Sequence, residues 1–189
     1  MWSGLIIPQF QTRLFDRLCW VKLKCMSQLN VENLPTTLQT VQSRPLFVMR
    51  LDVKKPFVFG EAPQGTRRIS GISGGVFHGD RLNGKILDGG NDWQIIRKDG
   101  CATLDVRLTL QTDDGEFIYM TYQGYRHGPK DVIDKIGRGE SVNPADYYFR
   151  TNPVFETASL KYEWLNRVIT VGIGHREASG PIYSIFEIL

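Results

Sequence analysis

At 189 residues the chain is long enough for one domain whose core needs no disulfide or metal staple, and its 41% hydrophobic and 23% charged residues exclude a disordered or fibrous protein. The net charge of +3 comes without a block of like charges, and Arg13, Arg17, Lys22 and Lys24 crowd into the first 25 residues, so no nucleic-acid partner is expected. Three widely spaced cysteines, no glycosylation acceptor and no apolar run near the ~20 residues of a membrane helix argue for a cytoplasmic protein with no stable membrane insertion.

Residues 1–44 read as an N-terminal extension outside the fold. Phe10, Leu14, Leu18 and Val21 recur at helical spacing among basic residues, compatible with a targeting or membrane-surface helix. The favoured reading is an upstream extension, with Met26 an alternative start. From residue 45 to 189 the period is mostly two. Phe47, Met49, Leu51 and Val53 alternate as the inner face of a first strand. Arg68 to Val76 carries Gly71, Gly74 and Gly75, the composition of a bent or bulged strand. Asn83-Gly84 between apolar residues predicts a hairpin turn. Leu104, Val106, Leu108 and Leu110 alternate with Thr103, Asp105, Arg107 and Thr109, and Asp113-Asp114-Gly115 turns this strand into another over Phe117 to Gly124. Arg126 to Asp146 shows no period and reads as a long loop with a short helix at Lys130 to Ile136. A short turn over Leu160 to Arg167 and a hairpin of Val168–His175 with Ile182–Leu189 complete the chain. Seven to ten short strands must manage their edges, so the expected fold is all-β, mainly antiparallel, and closed into a barrel with few short helices.

Motifs with strong chemical signatures are weak here. Gly71-Ile72-Ser73-Gly74-Gly75 matches the nucleophile-elbow pattern, but no helix follows it. His78, His127 and His175 are too scattered for a metal site, and no phosphate-cradling glycine motif occurs, so neither a metal nor a cofactor is expected. Gly89-Gly90-Asn91-Asp92-Trp93 delivers a carboxylate beside a large ring, where lost solvation would raise the Asp92 pKa into the range of a general base. An Asx turn with Trp93 in the core is the alternative. Arg107 is either a cavity charge or an exterior cross-strand partner. Aromatic residues with interleaved charges, Tyr147 to Arg150, Phe155-Glu156-Thr157 and Tyr162 to Leu165, either line a cavity or cap the barrel as core.

The same stretches carry a resemblance. Gly74-Gly75-Val76-Phe77-His78-Gly79, the Gly89 to Trp93 turn, Asp99-Gly100, Leu104 to Arg107, Asp113-Asp114-Gly115, Tyr148-Phe149-Arg150, Pro153 to Thr157, Tyr162 with Trp164-Leu165-Asn166, and Val171 to Gly174 stand in order from about Pro45 to the C-terminus. In this the chain resembles a widespread bacterial and fungal family of uncharacterised proteins, a domain of unknown function assigned to a lipocalin-like, or calycin, β-barrel. It departs at Asn91, where the family usually has alanine, and residues 1–44 lie outside the match. The resemblance implies a barrel with an internal cavity and no established reaction.

The expected partner is therefore a small apolar or aromatic molecule, bound by Trp93, Tyr122, Arg150, Tyr162 and Trp164; self-association is compatible with this. The alternative is a cofactor-free cyclase or isomerase acting on an aromatic or polyketide-like metabolite. Asp92 or Glu156 would be its base, and Arg107 or Arg150 would stabilise developing negative charge.

Overall fold

A computed structural model describes residues 30–189; the helical reading over Phe10 to Lys24 lies outside the described residues. The chain divides into Met1–Gln42 and Ser43–Leu189. In the first unit, single 3-10 turns span Val31–Asn33 and Thr36–Leu38 and bury no residue.

Ten strands make up the second unit: β1 (Ser43–Val53), β2 (Phe57–Ala62), β3 (Gly65–His78), β4 (Asn83–Ile86), β5 (Gly90–Ile96), β6 (Ala102–Thr112), β7 (Phe117–His127), β8 (Tyr148–Glu156), β9 (Thr170–Glu177) and β10 (Gly180–Ile188). Among the described residues one α-helix, α1, covers Lys130–Gly137. All pairings are antiparallel. The order runs β1-β10-β9-β8-β7-β6-β4-β3, and β3 returns to pair with β1, so the sheet closes into a barrel. Strands β4 and β5 share one position, both lying between β3 and β6, which gives eight positions round the ring. Strand β2 continues the line of β1 along the first half of β3.

Alternation fixes what fills the interior. On β6 the even residues Leu104, Val106, Leu108 and Leu110 are at most 5% exposed, while Arg107 and Thr109 face solvent. Phe47, Phe77, Phe155 and Leu165 pack one end, with ring centroids 5.4 and 5.9 Å apart from Phe47 to its two partners; each such side chain contributes roughly 1.5–3 kcal/mol by burial. Glycines make room for the larger groups. A Cβ on Gly174 would lie 2.6 Å from the Phe149 ring, and one on Gly172 would strike the Thr151 hydroxyl.

Two expectations change. Asn83-Gly84 is not a hairpin tip but the start of β4, because a glycine is needed where that strand presses on the Gln111 carbonyl and the Phe77 ring. The chain reverses just before it, where Asn83 Oδ1 accepts from the Gly79 N–H at 3.0 Å. The segment from Arg126 is not loop at its start: β7 continues to His127, held by ladder pairs Arg126↔Phe149 and His127↔Tyr148 to β8. The expected short helix is present as α1, with Val132 and Ile136 buried.

The first and last strands are tied by Glu187, 6% exposed, which accepts from Arg44 on β1 at 2.9 and 3.2 Å and from Arg81. These donors hold its carboxyl below the usual range. Arg81 in turn lies 3.9 Å from the Trp164 ring centroid.

Replacing Glu187 by Gln weakens charge-assisted bonds at a buried position and is expected to lower stability by about 1–3 kcal/mol, read as a fall in the urea midpoint. Gly174→Val should cost about 1–3 kcal/mol by overpacking Phe149, read as a lower Tm.

Candidate functional site

The end of the barrel away from the Phe47 cluster is not filled. A cavity of about 290 Å³ opens there beneath Ile136 and Gly137 of α1, with Leu51, Val53, Ile72, Leu104 and Phe149 among its apolar walls. Five strands contribute polar residues: Arg68 and Ser70 on β3, Asp92 and Gln94 on β5, Tyr122 and Arg126 on β7, Arg176 on β9 and Tyr183 on β10, with Lys54 and Lys55 added from the β1–β2 connection. On β3, β7 and β10 these residues sit in phase with the inward apolar residues of their own strand. Arg68 and Ser70 continue the side of Ile72, Arg126 that of Met120 and Tyr122, and Tyr183 that of Ile185. Register then sets them beside one another: Ser70 is opposite Asp92, and Arg68 is opposite Gln94.

Asp92 is 7% exposed. Its Oδ2 accepts from Gln94 Nε2 at 2.5 Å, whereas Oδ1 is buried without a well-formed hydrogen bond, the Asp105 backbone N–H giving only weak support. Burial raises its pKa to about 6 against the pull of Gln94, the Asp105 N–H, Arg126 and Arg68. The Tyr122 hydroxyl donates to Tyr183 at 3.1 Å. Both phenols are pushed up, first by burial, so they stay protonated. Burial likewise lowers the pKa of Arg126 and Arg68, and the Arg68 Nε is buried without an acceptor.

Of the residues named from sequence, Asp92 and Tyr122 meet at this cavity; the others do not. Asp92 faces inward, so its neighbour Trp93 must face outward, where Arg107 lies 4.8 Å from its ring centroid. Arg107 is itself on the outer side of β6, 3.2 Å from Asp105. Arg150 alternates with the inward Phe149 and Thr151, packs 5.1 Å over Tyr148 and belongs to the outer surface. Glu156 is exposed next to buried Phe155. Tyr162 is buried, but at the opposite end, donating to Asp114 at 3.0 Å in the β6–β7 turn; Trp164 packs against the core there. None of these six lines the cavity.

Sequence reasoning passed over Arg68, Gln94, Arg126, Arg176 and Tyr183. For Arg68, Arg126 and Tyr183 the signal was parity with an inward apolar stripe; β5 and β9 bury no apolar residue, so Gln94 and Arg176 had no such stripe to mark them. Ser73, centre of the apparent nucleophile motif, is exposed on β3 and donates to the Asp52 carbonyl at 3.2 Å. Among the described residues no three His, Cys, Asp or Glu side chains gather as metal ligands, and no helix is long and apolar enough to cross a membrane.

Comparison with known proteins gives the family. A family model described as a protein of unknown function, DUF3237, matches residues 41–188. A UPF0311 protein of Rhodopseudomonas palustris is 35% identical over 150 residues, 79% of this chain and 98% of that one. A conserved protein of unknown function from that organism has a crystal structure that superposes with a TM-score of 0.77 over 79% of this chain and 99% of its own, at 35% identity. A β-barrel-like protein of Acinetobacter baumannii, 39% identical, superposes at 0.70 over 79% and 97%. A structure described as an enzyme from Penicillium herquei shares the fold at a TM-score of 0.62 and 20% identity, over 82% and 98%. A closed barrel formed by the stretch that the family model spans, with relatives matched over almost their whole length, makes this chain a member of the DUF3237 family of proteins of unknown function.

Proposed function

We propose that the barrel binds a compact organic molecule in the cavity under α1. The observation that carries this is the cost of the cavity itself: charged and hydroxyl side chains from five strands line a space that apolar residues would fill more stably. A volume of about 290 Å³ lies at the lower end of small-molecule pockets, which suits a ligand of one or two rings. Leu104 and Phe149 offer apolar contact, and Asp92, Gln94, Tyr183 and the arginines offer orientation.

A second reading, a cofactor-free isomerase or cyclase, is favoured by Asp92. A buried carboxylate with a pKa of about 6 is poised to take and return a proton near neutral pH. Arg126 and the Tyr183 hydroxyl line the same cavity and would stabilise an enolate or phenolate formed there. The Penicillium herquei relative in fold is described as an enzyme, which adds to this reading without naming its chemistry.

Titration calorimetry and thermal shift with one- and two-ring aromatic compounds test the first reading. At least one should bind, and Ser70→Phe, which fills the cavity, should abolish that binding while leaving far-UV circular dichroism unchanged. Binding unaffected by Ser70→Phe would place the ligand elsewhere and end the proposal. Asp92→Asn separates the two readings: a carrier keeps its affinity, whereas an acid–base catalyst keeps binding and loses about 10²–10⁴-fold in turnover.

Asp92 also predicts a pH dependence. Its folded pKa of about 6 lies above the ordinary 3.8, so the folded state holds the extra proton between these values. Its contribution to stability is fully present below about pH 4 and is lost as pH rises through 6, by an amount of about 2–3 kcal/mol. Urea unfolding from pH 4 to 8 should therefore show Asp92→Asn gaining stability over the native protein as pH rises, with the difference levelling off above pH 7.

A further inference from the structure

Resting on the cavity reading above, we propose that the ligand is an organic anion whose negative group sits among Arg68, Arg126 and Arg176. These guanidinium groups arrive from β3, β7 and β9 and line one cavity. Arg126 feels both of the others as like charges. Among the described residues, no salt bridge involves any of the three. The one carboxylate in the lining is Asp92, and it accepts its close hydrogen bond from neutral Gln94.

At the rim stand two further cations, Lys54 and Lys55. Lys54 is paired with Asp88 at 2.9 Å, while Lys55 adds to the positive field. The lining thus holds five cationic side chains against one anionic. A guanidinium does not escape burial by losing its proton, and like charges facing across a partly desolvated space repel more strongly than in water. A neutral guest would leave that repulsion in place. An anion removes it, and the fork of each guanidinium matches the two oxygens of a carboxylate. The apolar walls, Leu104 and Phe149 among them, favour an organic body over a bare inorganic ion.

Binding an anion beside Asp92 also raises the carboxyl further, because a second negative charge favours its protonated form. The groups facing Asp92 are Gln94 on its own strand, Arg68 on β3, Arg126 and Tyr122 on β7 and Tyr183 on β10. None of them is a competing acid in the neutral range, so uptake of a proton on binding would report Asp92.

The test is titration calorimetry on the full chain with benzoate, 2-naphthoate and phenylpyruvate, each against its primary amide, and with inorganic phosphate. The expected result is that a carboxylate binds at least ten-fold more tightly than its amide and than phosphate, with proton uptake when buffers of different ionisation enthalpy are compared at pH 7. Arg126→Gln and, separately, Arg176→Gln should each lower carboxylate affinity more than amide affinity, so that the ten-fold preference collapses. Amides that bind as tightly as the acids, in a manner blocked by Ser70→Phe, would overturn the anion assignment and leave the cavity reading standing. Phosphate binding as tightly as any carboxylate would overturn the organic part of the assignment. Failure of every acid and amide to bind would overturn the anion assignment and the cavity reading together.

Discussion

Strand β3 bends so that its second half pairs with β1 on one side and β4 on the other, while its first half pairs with β2 and β5. Without the β1–β3 ladder the sheet would present two raw edges and an apolar face to water. With it, the backbone donors and acceptors are satisfied round a ring, and every strand has one side turned inward. The glycines of β3 belong to this requirement. A Cβ at Gly75 would run into the Arg50 carbonyl across the closing ladder, and the register slips by a residue between Asp52 and Val53 as the two strands diverge.

Once the ring is closed, what each strand carries on its inner side becomes a shared environment. The two ends differ for that reason. Toward the β6–β7 turn the inner positions are Phe77, Leu110, Ile118 and Phe155, all at most 4% exposed. Toward α1 the inner positions of β3, β5, β7 and β9 change to Arg68, Asp92, Arg126 and Arg176. Burial at the apolar end offsets the cost of holding polar groups at the other.

Electrostatics in the open end follow from depth more than from pairing. Asp92 is raised because burial outweighs two nearby guanidiniums and its hydrogen bonds. Glu187 is also buried, yet it goes the other way, because Arg44 and Arg81 both donate to it. The same residue class thus serves as a clamp at one place and as a poised group at another, and the difference lies in whether its cations form direct bonds.

Much of the fold was legible in the residues. Alternation at Leu104 to Leu110, the Asp113-Asp114-Gly115 turn, the last hairpin and the short helix after Pro129 are local properties, and local properties survive folding. Asn83-Gly84 was misread because the pair has a turn's composition, while its actual need for glycine is the close approach of β6, a contact more than 25 residues away in sequence. Less of the candidate site was legible. Asp92 and Tyr122 could be singled out, but Trp93, Arg107 and Arg150 were grouped with them by chemistry when parity puts them outside. Sequence alone determined which residues share a side of each strand. Only the closed ring decided which side is the interior at each end and brought Arg68, Asp92, Arg126, Arg176 and Tyr183 from five strands to one cavity, because convergence across strands depends on register and curvature, which no single segment encodes.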